Sequence, residues 1–567
     1  MARVLAEIAD LLEIKGDNAF KIRAYRSAAD TVAAWPDALA RLDARELREL
    51  PGIGKDLAAR IHELTTTGAS PVHDALRAEL PPTILELLRL QGVGPKTVAM
   101  LYSALGIASL DELAAAARAG RLRTLKGMGP KKEGQILEAI AARSRETGRH
   151  LLTDTAEVAA DVIGHLRRHD PAADLTPVGS LRRGTETCGD LDIVAAGSDL
   201  TLMDALVAHP DVERVLGQGE TKSSVLLRGG HQVDLRLVAA SSRGAALQYF
   251  TGSKTHNLAL RDRAVQQGLR LNEYGLFRED GSAVAGETEE GIYGALGLPW
   301  IAPELREQRG EIEAALSGGL PRLIELEDLR GDLHLHTTES DGRDDLQTMA
   351  DAARRLGHQY IAVTDHSKAL AMANGLDETR ALVHAARVRA LNGRFGSLTL
   401  LAGIECDILP DGRLDLADDC LAQLDIVIAS VHSHFSQDDR QMTDRLLRAI
   451  ECPWVDVLGH PTGRLLLRRD PLRFDLPAVV EAAAREGVAL EINCQPHRLD
   501  LGDTRARLAR ERGVPLVVSS DAHAVAGLEG LRWGVQVARR AWAEAGDVLN
   551  TRDLEGLRRR LRRHRGR

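Results

Sequence analysis

The stretch Val178-Gly-Ser-Leu-Arg-Arg-Gly-Thr-Glu-Thr-Cys-Gly-Asp-Leu-Asp-Ile-Val194 is the most specific string in the first half of the chain. It contains Asp190 and Asp192 two residues apart on a predicted strand, so both carboxylates point to the same face of that strand. A third carboxylate is available from Asp234 in the strand-like run Gln232-Val-Asp-Leu-Arg236. Such carboxylates suit paired Mg²⁺ ions, which stabilise both the attacking and the leaving oxygens of a phosphoryl displacement.

The residues before these carboxylates favour a phosphate ligand. A DxD pattern on a strand is common and is often only a solvated surface, but the preceding Gly179-Ser180 and Arg182-Arg183-Gly184 argue against coincidence. Gly179, Ser180 and Arg183 are therefore candidates to hold a triphosphate through backbone N–H, hydroxyl and guanidinium groups.

The composition is that of a soluble, multidomain chain. Its 567 residues predict three or four domains, and 44% hydrophobic with 27% charged residues is an ordinary globular balance. We expect no membrane span and no signal peptide. Five cysteines without CxxC spacing argue against a disulfide framework, so we expect a cytoplasmic protein. The net charge of -9 does not exclude nucleic acid, because DNA binding needs only a local basic face.

Residues 1–148 carry a self-similar glycine pattern three times. The copies are Leu50-Pro-Gly-Ile-Gly-Lys55, Leu90-Gln-Gly-Val-Gly-Pro-Lys96 and Leu125-Lys-Gly-Met-Gly-Pro-Lys131. Because glycine has no Cβ, the backbone can approach a phosphate, and the following helix offers free N–H groups. One copy would fit a plain helix–helix turn equally well, but three copies with lysines favour nucleic acid. The predicted DNA contacts are Gly52, Gly54, Gly92, Gly94, Gly127 and Gly129.

The pattern changes three times along the rest of the chain. Residues 149–309 show short apolar strands and turns, and residues 310–329 form a helical, acidic linker. From 330 to 567, strand, loop and helix alternate with seven strand-like runs, which predicts a parallel α/β barrel. The basic end, Arg558–Arg567, is interpreted as a solvated helix end, with a DNA contact as the alternative.

Histidines and carboxylates follow the predicted strands of this last segment. Catalytic residues of a barrel gather at the carboxyl ends of its strands, so one mouth would collect all of them. So many polar donors would be unfavourable there unless metal satisfied them, and a mixed His and carboxylate set suits Zn²⁺, Mn²⁺ or Fe²⁺. The clusters are Asp332-Leu-His-Leu-His336, Asp341, Thr364-Asp-His366, Gly403-Ile-Glu405, Val431-His-Ser-His434, Gly459-His-Pro461 and Ser520-Asp-Ala-His523.

About the first 309 residues resemble the family X DNA polymerases, similar in organisation to polymerase beta. Their GS-x-RRG-x-E-x-x-GD-x-D signature is present without a gap. The resemblance implies an α-helical helix-hairpin-helix domain and fingers over residues 1–148, then an α+β nucleotidyltransferase palm with a thumb over 149–309. It also implies that Asp190, Asp192 and Asp234 are the catalytic ligands of Mg²⁺ or Mn²⁺.

The same resemblance implies a nucleotide site. The segment Tyr249-Phe-Thr-Gly-Ser253 would pack against the sugar and discourage a ribonucleotide, while Asn257 and Arg261 would touch minor-groove edges of the incoming nucleotide and template. The implied nucleotide contacts are Gly179, Ser180, Arg183, Gly189, Tyr249, Phe250, Gly252 and Asn257; Arg261 is counted as a DNA contact.

The last segment resembles the PHP (polymerase and histidinol phosphatase) domain, a distorted barrel that binds up to three metal ions. No ligand position is missing, so an active domain holding Mn, Zn or Fe is expected. Asp365 is interpreted as an orienting partner and Arg498 as a phosphate clamp. His434 is extra to the set and would either support a ligand or face the substrate. The implied ligands are His334, His336, Asp341, His366, Glu405, His432, His460, Asp521 and His523.

Together these features predict a DNA polymerase that fills short gaps in base excision repair and carries a Mn-dependent 3′–5′ exonuclease. The expected partners are gapped or nicked duplex DNA, primer 3′ ends and deoxynucleoside triphosphates, with no membrane, and the chain is expected to be a monomer. Abasic-site incision and 3′-phosphate removal by the barrel stay open. The main alternative is a DNA-binding PHP nuclease or phosphatase whose polymerase region is non-catalytic. A small-molecule phosphatase would leave the three glycine repeats unexplained.

One activity of polymerase beta relatives is predicted to be absent. Their deoxyribose-phosphate lyase needs a lysine on the helix after the first hairpin, and Arg60 stands at that position. Lys55 is interpreted as a hairpin residue that meets backbone phosphate, and Lys21 also as a phosphate contact.

Overall fold

A computed structural model describes residues 2–34, 45–49, 53–67, 70–81, 84–88, 90, 93–125, 127–130, 132–137, 148–197 and 199–561. The chain divides into two compact units, Met1–Thr147 and Gly148–Arg567, which are described one at a time. Over these described ranges, no helix combines the length and the apolar character that crossing a membrane requires.

The first unit is helical, as predicted. Its helices pack around one apolar core in which Leu5, Ile61 and Leu101 are buried. Its α-helices are Ala2–Ile14, Ala19–Ala34, Lys55–Thr67, Pro71–Glu79, Ile84–Leu87, Pro95–Leu105 and Leu110–Arg118, and 3-10 turns span Glu46–Glu49 and Arg121–Thr124.

The three glycine repeats fold into the same kind of turn. The apolar residue between the two glycines is buried in each copy and ties the turn to the core; these residues are Ile53, Val93 and Met128. The second glycine then accepts the first hydrogen bond of the following helix, at 2.9 Å from Ala58 N to Gly54 O and at 3.0 Å from Val98 N to Gly94 O. The third copy repeats this bond from Glu133 N to Gly129 O at 3.1 Å.

The second unit begins with a five-stranded sheet in the order β2-β4-β7-β6-β5, which corresponds to the predicted palm. Strands β4 and β7 are parallel, and the other neighbours are antiparallel. Helices Leu152–His169 and Thr201–Val207 contribute to the same core. The strands of this region are β1 His150–Leu151, β2 Asp174–Pro177, β3 Thr187–Cys188, β4 Leu191–Ala196, β5 Val212–Gln218, β6 Lys222–Leu227 and β7 Gln232–Val238.

A three-stranded antiparallel sheet and four helices follow, at the position of the predicted thumb. Their core includes Leu260, Leu276 and Tyr293, and it also takes in Trp542 from near the far end of the chain. The elements are β8 Leu269–Asn272, β9 Gly275–Arg278, β10 Ala283–Ala285 and helices Arg243–Thr251, Lys254–Gln266, Glu289–Ala295 and Glu311–Ser317.

Residues 310–329, predicted as a linker, are a packed part of this unit. Glu311 is fully buried and accepts a hydrogen bond from His256 Nδ1 at 2.7 Å. Ile324 is also buried, and its N–H donates to Ala543 O at 2.9 Å. Glu311, at the start of helix Glu311–Ser317, is buried because it lies against His256. The spacing of residues in the sequence does not reveal this contact.

The remainder is a seven-stranded parallel barrel in the order β11 to β17, which confirms the predicted architecture. A bridge between Leu335 and Ala522 joins the first strand to the end of the last one and nearly closes it. The strands are β11 Gly331–Leu335, β12 Tyr360–Val363, β13 Thr399–Asp407, β14 Ile426–Ser430, β15 Val457–Leu458, β16 Ala489–Asn493 and β17 Leu516–Ser519.

Helices accompany the barrel strands, and leucines of the C-terminal segment pack against them. All seven strands contribute to one apolar cluster that also contains Leu549, Leu557 and Leu561. Arg562–Arg567 of the basic tail lie outside the described residues. The longer barrel helices are Leu346–Arg355, Glu378–Ala390, Asp439–Glu451, Leu476–Glu486, Asp503–Glu511 and Leu531–Arg540; the short helices are Asp418–Leu421 and Leu554–Arg558.

Candidate active sites

Three carboxylates of the palm-like sheet come together as predicted. Parallel pairing sets Asp192 on β4 directly beside Asp234 on β7, and exposed Asp190 immediately precedes β4. Burial and the negative charges of Asp190 and Asp234 raise the pKa of Asp192 to about 6. Carboxylates that repel each other in this way gain from a shared cation, so the oxygen-donor set fits Mg²⁺ or Mn²⁺.

Lys222, which the sequence analysis missed, neutralises the third carboxylate. Its ammonium nitrogen lies 2.6 Å from Asp234 Oδ2. Although burial alone would raise it, the pKa of Asp234 is lowered by the hydrogen bond from Lys222 and by those from Ser224 and Gln232. Strand β6 pairs antiparallel with β7, and Lys222 lies opposite Arg236. This pairing brings Lys222 close to Asp234, and the spacing of candidate ligands in the sequence does not reveal it.

Every predicted nucleotide contact lines one cavity of about 490 Å³ next to these carboxylates. The predicted DNA contact Arg261 lines it as well, whereas Asp234 does not. Sequence reasoning missed Arg149, Lys254 and Leu258. The complete lining is Arg149, Gly179, Ser180, Arg183, Gly189, Asp190, Asp192, Tyr249, Phe250, Gly252, Lys254, Asn257, Leu258 and Arg261.

Two glycines of the cavity are required by close approach. Gly179 has φ +65°, and a Cβ there would stand 3.2 Å from Asp192 Oδ2. Gly252 has φ +68°, and a Cβ there would stand 3.1 Å from Arg183 Nη1. The wall of the cavity is thus backbone that lies directly against the carboxylate of Asp192 and the guanidinium of Arg183.

Polar side chains of the cavity are already held in place by the protein. Arg183 Nε donates to Glu307 Oε1 at 3.0 Å, and Arg183 Nη1 donates to Thr251 O at 2.5 Å. Asn257 Nδ2 donates to Tyr249 O at 2.7 Å. Arg183 is therefore oriented before any ligand arrives, and the Asn257 amide braces the Tyr249 backbone in addition to facing the cavity.

In the barrel, eight of the nine predicted ligands form three overlapping groups with donor atoms within 4.8 Å of one another. His460 completes the set, because its Nε2 lies 3.0 Å from Glu405 Oε1. The groups are His336, Asp341, His366 and His523; His334, His336 and Asp521; and His366, Glu405 and His432. Three groups match the number of ions that the resemblance implies.

Glu405 is the centre of this cluster. It is 1% exposed, and its carboxylate lies 2.8 Å from His366 Nδ1 and 3.4 Å from His334 Nε2. Burial would raise the pKa of Glu405, but the surrounding imidazoles hold it well below its usual range. Burial likewise opposes the charged form of His366, yet Glu405 and Asp341 raise its pKa to about 10.

Some of the clustered donor atoms lack a well-oriented partner among the described residues. Nε2 of His334, Nδ1 of His336 and Oε2 of Glu405 are buried without a hydrogen bond. Lone pairs left in this state are costly to bury, and a metal ion between them would satisfy them. The donor chemistry, imidazole nitrogen with carboxylate oxygen, fits Mn, Zn or Fe.

A second set of carboxylates orients the imidazoles, and sequence reasoning missed it. Glu491 Oε1 lies 2.7 Å from His334 Nδ1, and Asp407 Oδ1 lies 2.6 Å from His432 Nδ1. A carboxylate on the second ring nitrogen fixes the ring and raises the basicity of the first. An acidic residue inside an apolar strand, as Glu491 is in Ala489–Asn493, was the available signal.

Two further residues of the barrel were singled out beside the nine donors. Asp365 accepts hydrogen bonds from Thr337 N and Ser340 Oγ at 2.8 and 2.5 Å and so fixes the loop that carries Asp341. His434 is exposed with φ +55°.

The first helical unit also differs from one prediction. Lys55 was placed on the hairpin, but the helix Lys55–Thr67 begins with it, because Gly54 already caps that helix. Arg60 lies exposed on the same helix, and Lys21 pairs with Asp17 at 2.9 Å. Gly127 has φ +83°, and a Cβ at Gly54, Gly94, Gly127 or Gly129 would meet nothing within 4 Å; Gly52 and Gly92 lie outside the described residues.

These sites and folds define a polymerase beta-like nucleotidyltransferase joined to a PHP phosphoesterase. The matching family models are a helix-hairpin-helix domain (residues 1–70), a SAM-like helix-hairpin-helix tandem (84–142), the DNA polymerase beta palm (153–225) and thumb (246–307), and the PHP domain (332–495).

The chain is 39% identical over 559 residues to the DNA polymerase/3′-5′ exonuclease PolX of Bacillus subtilis strain 168, covering 98% of this chain and 97% of that protein. It therefore belongs to the PolX family. The chain is also similar to shorter proteins: a probable phosphatase of Caldanaerobacter subterraneus is 32% identical over 205 residues, which are 34% of this chain and 75% of that protein. One from Shewanella strain MR-4 is 31% identical over 209 residues, 35% and 78% of the two chains.

Proposed function

We propose that this chain fills short gaps in DNA during base excision repair and trims 3′ ends with a Mn-dependent exonuclease in the barrel. The observation that supports the proposal is that donor side chains form two separate clusters. Asp190 and Asp192 line a cavity of about 490 Å³ with Asp234 beside them, and nine His, Asp and Glu side chains come together in the barrel. The expected partners are gapped or nicked duplex DNA, primer 3′ ends and deoxynucleoside triphosphates, and the chain would work as a monomer.

At the palm, Asp190, Asp192 and Asp234 would hold Mg²⁺ or Mn²⁺. Bound there, the ions would activate the primer 3′ oxygen and stabilise the leaving pyrophosphate. Ser180 and Arg183 would bind the triphosphate by hydroxyl and guanidinium, and the backbone N–H of Gly189 would assist them. The segment around Tyr249 and Phe250 would pack against the sugar, and Arg261 would touch the template.

In the barrel, the nine donors would hold up to three Mn, Zn or Fe ions, which would supply a hydroxide nucleophile and would bind the scissile phosphate. Glu491 and Asp407 keep His334 and His432 oriented for this task. Asp365 holds the loop that carries Asp341. Cleavage of a phosphodiester at the 3′ terminus would release a nucleoside monophosphate and leave a new 3′ hydroxyl for the palm.

The helical unit would grip the sugar-phosphate backbone. The open backbone at Gly54, Gly94, Gly127 and Gly129 and the helix starts that follow them suit phosphate oxygens. Gly52 and Gly92 are proposed by analogy with these copies. Contacts of this kind carry no sequence information, as suits an enzyme that works at any gap.

A second function of the barrel is favoured by the similarity to probable phosphatases. Removal of a 3′ phosphate would use the same clamped phosphate and hydroxide, and abasic-site incision would use them on an internal phosphodiester. Either activity would prepare a clean 3′ hydroxyl for extension. The alternative of a non-catalytic polymerase region requires a damaged palm, whereas the three carboxylates and the cavity are intact.

The test is an assay of purified full-length chain on a gapped duplex with a labelled primer, with Mg²⁺ or Mn²⁺ and with or without nucleotides. We expect extension to the end of the gap when nucleotides are present, and shortening of the primer in Mn²⁺ without them. Primers that end in a 3′ phosphate test the second function. Shortening without any extension would support the non-catalytic alternative instead.

A further inference from the structure

The loop that carries Arg183 lies against a helix from the barrel half of the chain. Gly184, the residue after Arg183, has φ +64°, and a Cβ there would stand 3.4 Å from Gln536 Cβ. Gln536 belongs to helix Leu531–Arg540. The backbone next to Arg183, which lines the cavity, therefore lies close to an element more than 300 residues away in sequence.

Arg540, the last residue of that helix, contacts Arg183 directly and also through Glu307. Its Nη1 donates to the Arg183 carbonyl at 2.8 Å and to Glu307 Oε1 at 3.0 Å. The same Glu307 oxygen accepts from Arg183 Nε, also at 3.0 Å. Arg540 thus fixes the Arg183 backbone directly and its guanidinium through one shared carboxylate oxygen.

Arg540 is itself rigidly held. It is 4% exposed, and its Nε and Nη2 lie 3.0 and 2.7 Å from Asp503 Oδ2. Arg309 Nη1 donates to the same oxygen at 3.0 Å. The network contains three guanidinium groups (Arg183, Arg309 and Arg540) and two carboxylates (Glu307 and Asp503), so 3 − 2 leaves one positive charge, and one end of the network borders the cavity.

We propose that Arg540 is a positioning residue for the incoming nucleotide, so that the barrel half sets nucleotide affinity without touching the nucleotide. Holding a long side chain in its binding rotamer removes an ordering cost that binding would otherwise bear. Charge-assisted hydrogen bonds are the strong ones suited to this task. The inference rests on the proposed contact between Arg183 and the triphosphate.

The test compares two neighbouring substitutions, Arg540→Gln and Arg539→Gln, in the full-length chain. Arg539 is a matched control on the same helix. It pairs with Glu304 at 2.7 Å and with Glu325 at 2.6 Å, whereas Arg540 pairs with Glu307. Single-nucleotide insertion into a gapped duplex should show KM for the nucleotide raised about tenfold in Arg540→Gln, because a misplaced binding group weakens affinity. Its kcat should stay within about twofold, and Arg539→Gln should keep the parent KM.

Two further variants separate the possible outcomes. Glu307→Gln removes the carboxylate that Arg183 and Arg540 share, and it should raise KM for the nucleotide as Arg540→Gln does. The double variant should have a KM close to that of either single variant. Arg183→Gln tests the proposed function itself: an unchanged KM there would refute the triphosphate contact. A raised KM in Arg183→Gln with a parental KM in Arg540→Gln and Glu307→Gln would overturn only the positioning role.

A purely structural role is also distinguishable. It predicts that Arg539→Gln and Arg540→Gln lower the thermal midpoint and disturb KM together, and that result would overturn the proposal. The Arg540→Lys variant keeps a positive charge in the same place with fewer donors, so we expect its KM to fall between the parent and Arg540→Gln. If Arg540→Gln fails to fold, the Glu307→Gln and Arg540→Lys values decide alone.

Discussion

At the scale of single residues, the palm carboxylates and the barrel histidines form separate clusters. Replacing Asp190 and Asp192 with alanine should abolish nucleotide addition, because no carboxylate pair remains to share the ions with Asp234. The 3′–5′ degradation should stay near the parent rate. Primer extension and primer shortening on one labelled duplex measure both, and loss of both activities in a folded variant would argue for a single shared site.

The reciprocal substitutions are His334→Ala with His336→Ala. They remove two buried donors, so exonuclease activity should vanish and bound transition metal should fall, while gap filling persists. Elemental analysis of the purified variant checks the metal content directly. Parental metal content together with parental exonuclease activity would contradict the ligand assignment.

Lyase chemistry is expected to be absent, since it needs a neutral amine at the position of Arg60. A guanidinium stays protonated at biological pH and cannot form an imine. Lys55 lies in the first turn of the same helix, and Lys21 is paired with Asp17. Borohydride reduction with a 5′-deoxyribose-phosphate substrate should trap no covalent adduct; a trapped band that disappears in Lys55→Ala or Lys21→Ala would reveal a nucleophile there.

At the scale of elements, the start of helix Glu289–Ala295 is held by a buried ionic cluster. Glu289 accepts from Arg182 Nη2 and Arg306 Nη1, both at 2.6 Å. Burial would raise the pKa of Glu289, but Arg306 and Arg182 lower it to about 2. Such a carboxylate contributes stability above its unfolded pKa of about 4.5 and loses that contribution as pH falls towards 2, by about 3 kcal/mol in all.

Glu289→Gln should therefore lower the free energy of unfolding at pH 7. In acid, the parent and the variant should become equally stable, because Glu289 of the parent is then protonated. Denaturant titrations of parent and variant between pH 7 and pH 3 measure the difference, which should shrink below about pH 4.5. Arg413→Gln is a suitable control because its pair with Asp411 is exposed. A parent–variant difference that does not change with pH would exclude the ionic explanation.

Much of the element pattern could be predicted because it is local. The strand predicted to end near Glu405 corresponds to β13. Asp190 precedes β4 and Asp192 lies within it, and side chains two positions apart on a strand point to the same face. Lys222, Glu491 and Asp407 were missed because their role depends on which strands lie side by side. No periodicity in the sequence predicts that Glu491 contacts His334, which lies 157 positions away.

At the scale of the whole molecule, DNA binding should depend steeply on salt. Lys55 and Lys96 are exposed at the starts of two helices that follow glycine turns. Replacing both with alanine should weaken binding to gapped DNA and reduce the slope of log affinity against log salt by about 2, if each meets one phosphate. Fluorescence anisotropy at several salt concentrations measures the slope, and an unchanged slope would remove the two lysines from the DNA contacts.

The two catalytic halves of the second unit are also joined by ion pairs that sequence reasoning could not reveal. Arg464, four residues after His460, lies 2.7 and 2.9 Å from the two carboxylate oxygens of Glu186 in the signature string. A Cβ on Gly502 would stand 2.4 Å from that carboxylate. Arg464 and Glu186 are 278 positions apart, so their ion pair can be recognised only in the folded chain.

Trp542 has a genetic consequence. It completes an apolar core whose other members lie between Ala245 and Ala315, although the chain reaches Trp542 only after all seven strands of the barrel. A nonsense codon or frameshift upstream of it would leave the polymerase half with a hole in its own interior. Selection that demands gap filling but removes the nuclease should therefore recover missense alleles at the metal-binding histidines, and early stop codons should be missing among the survivors.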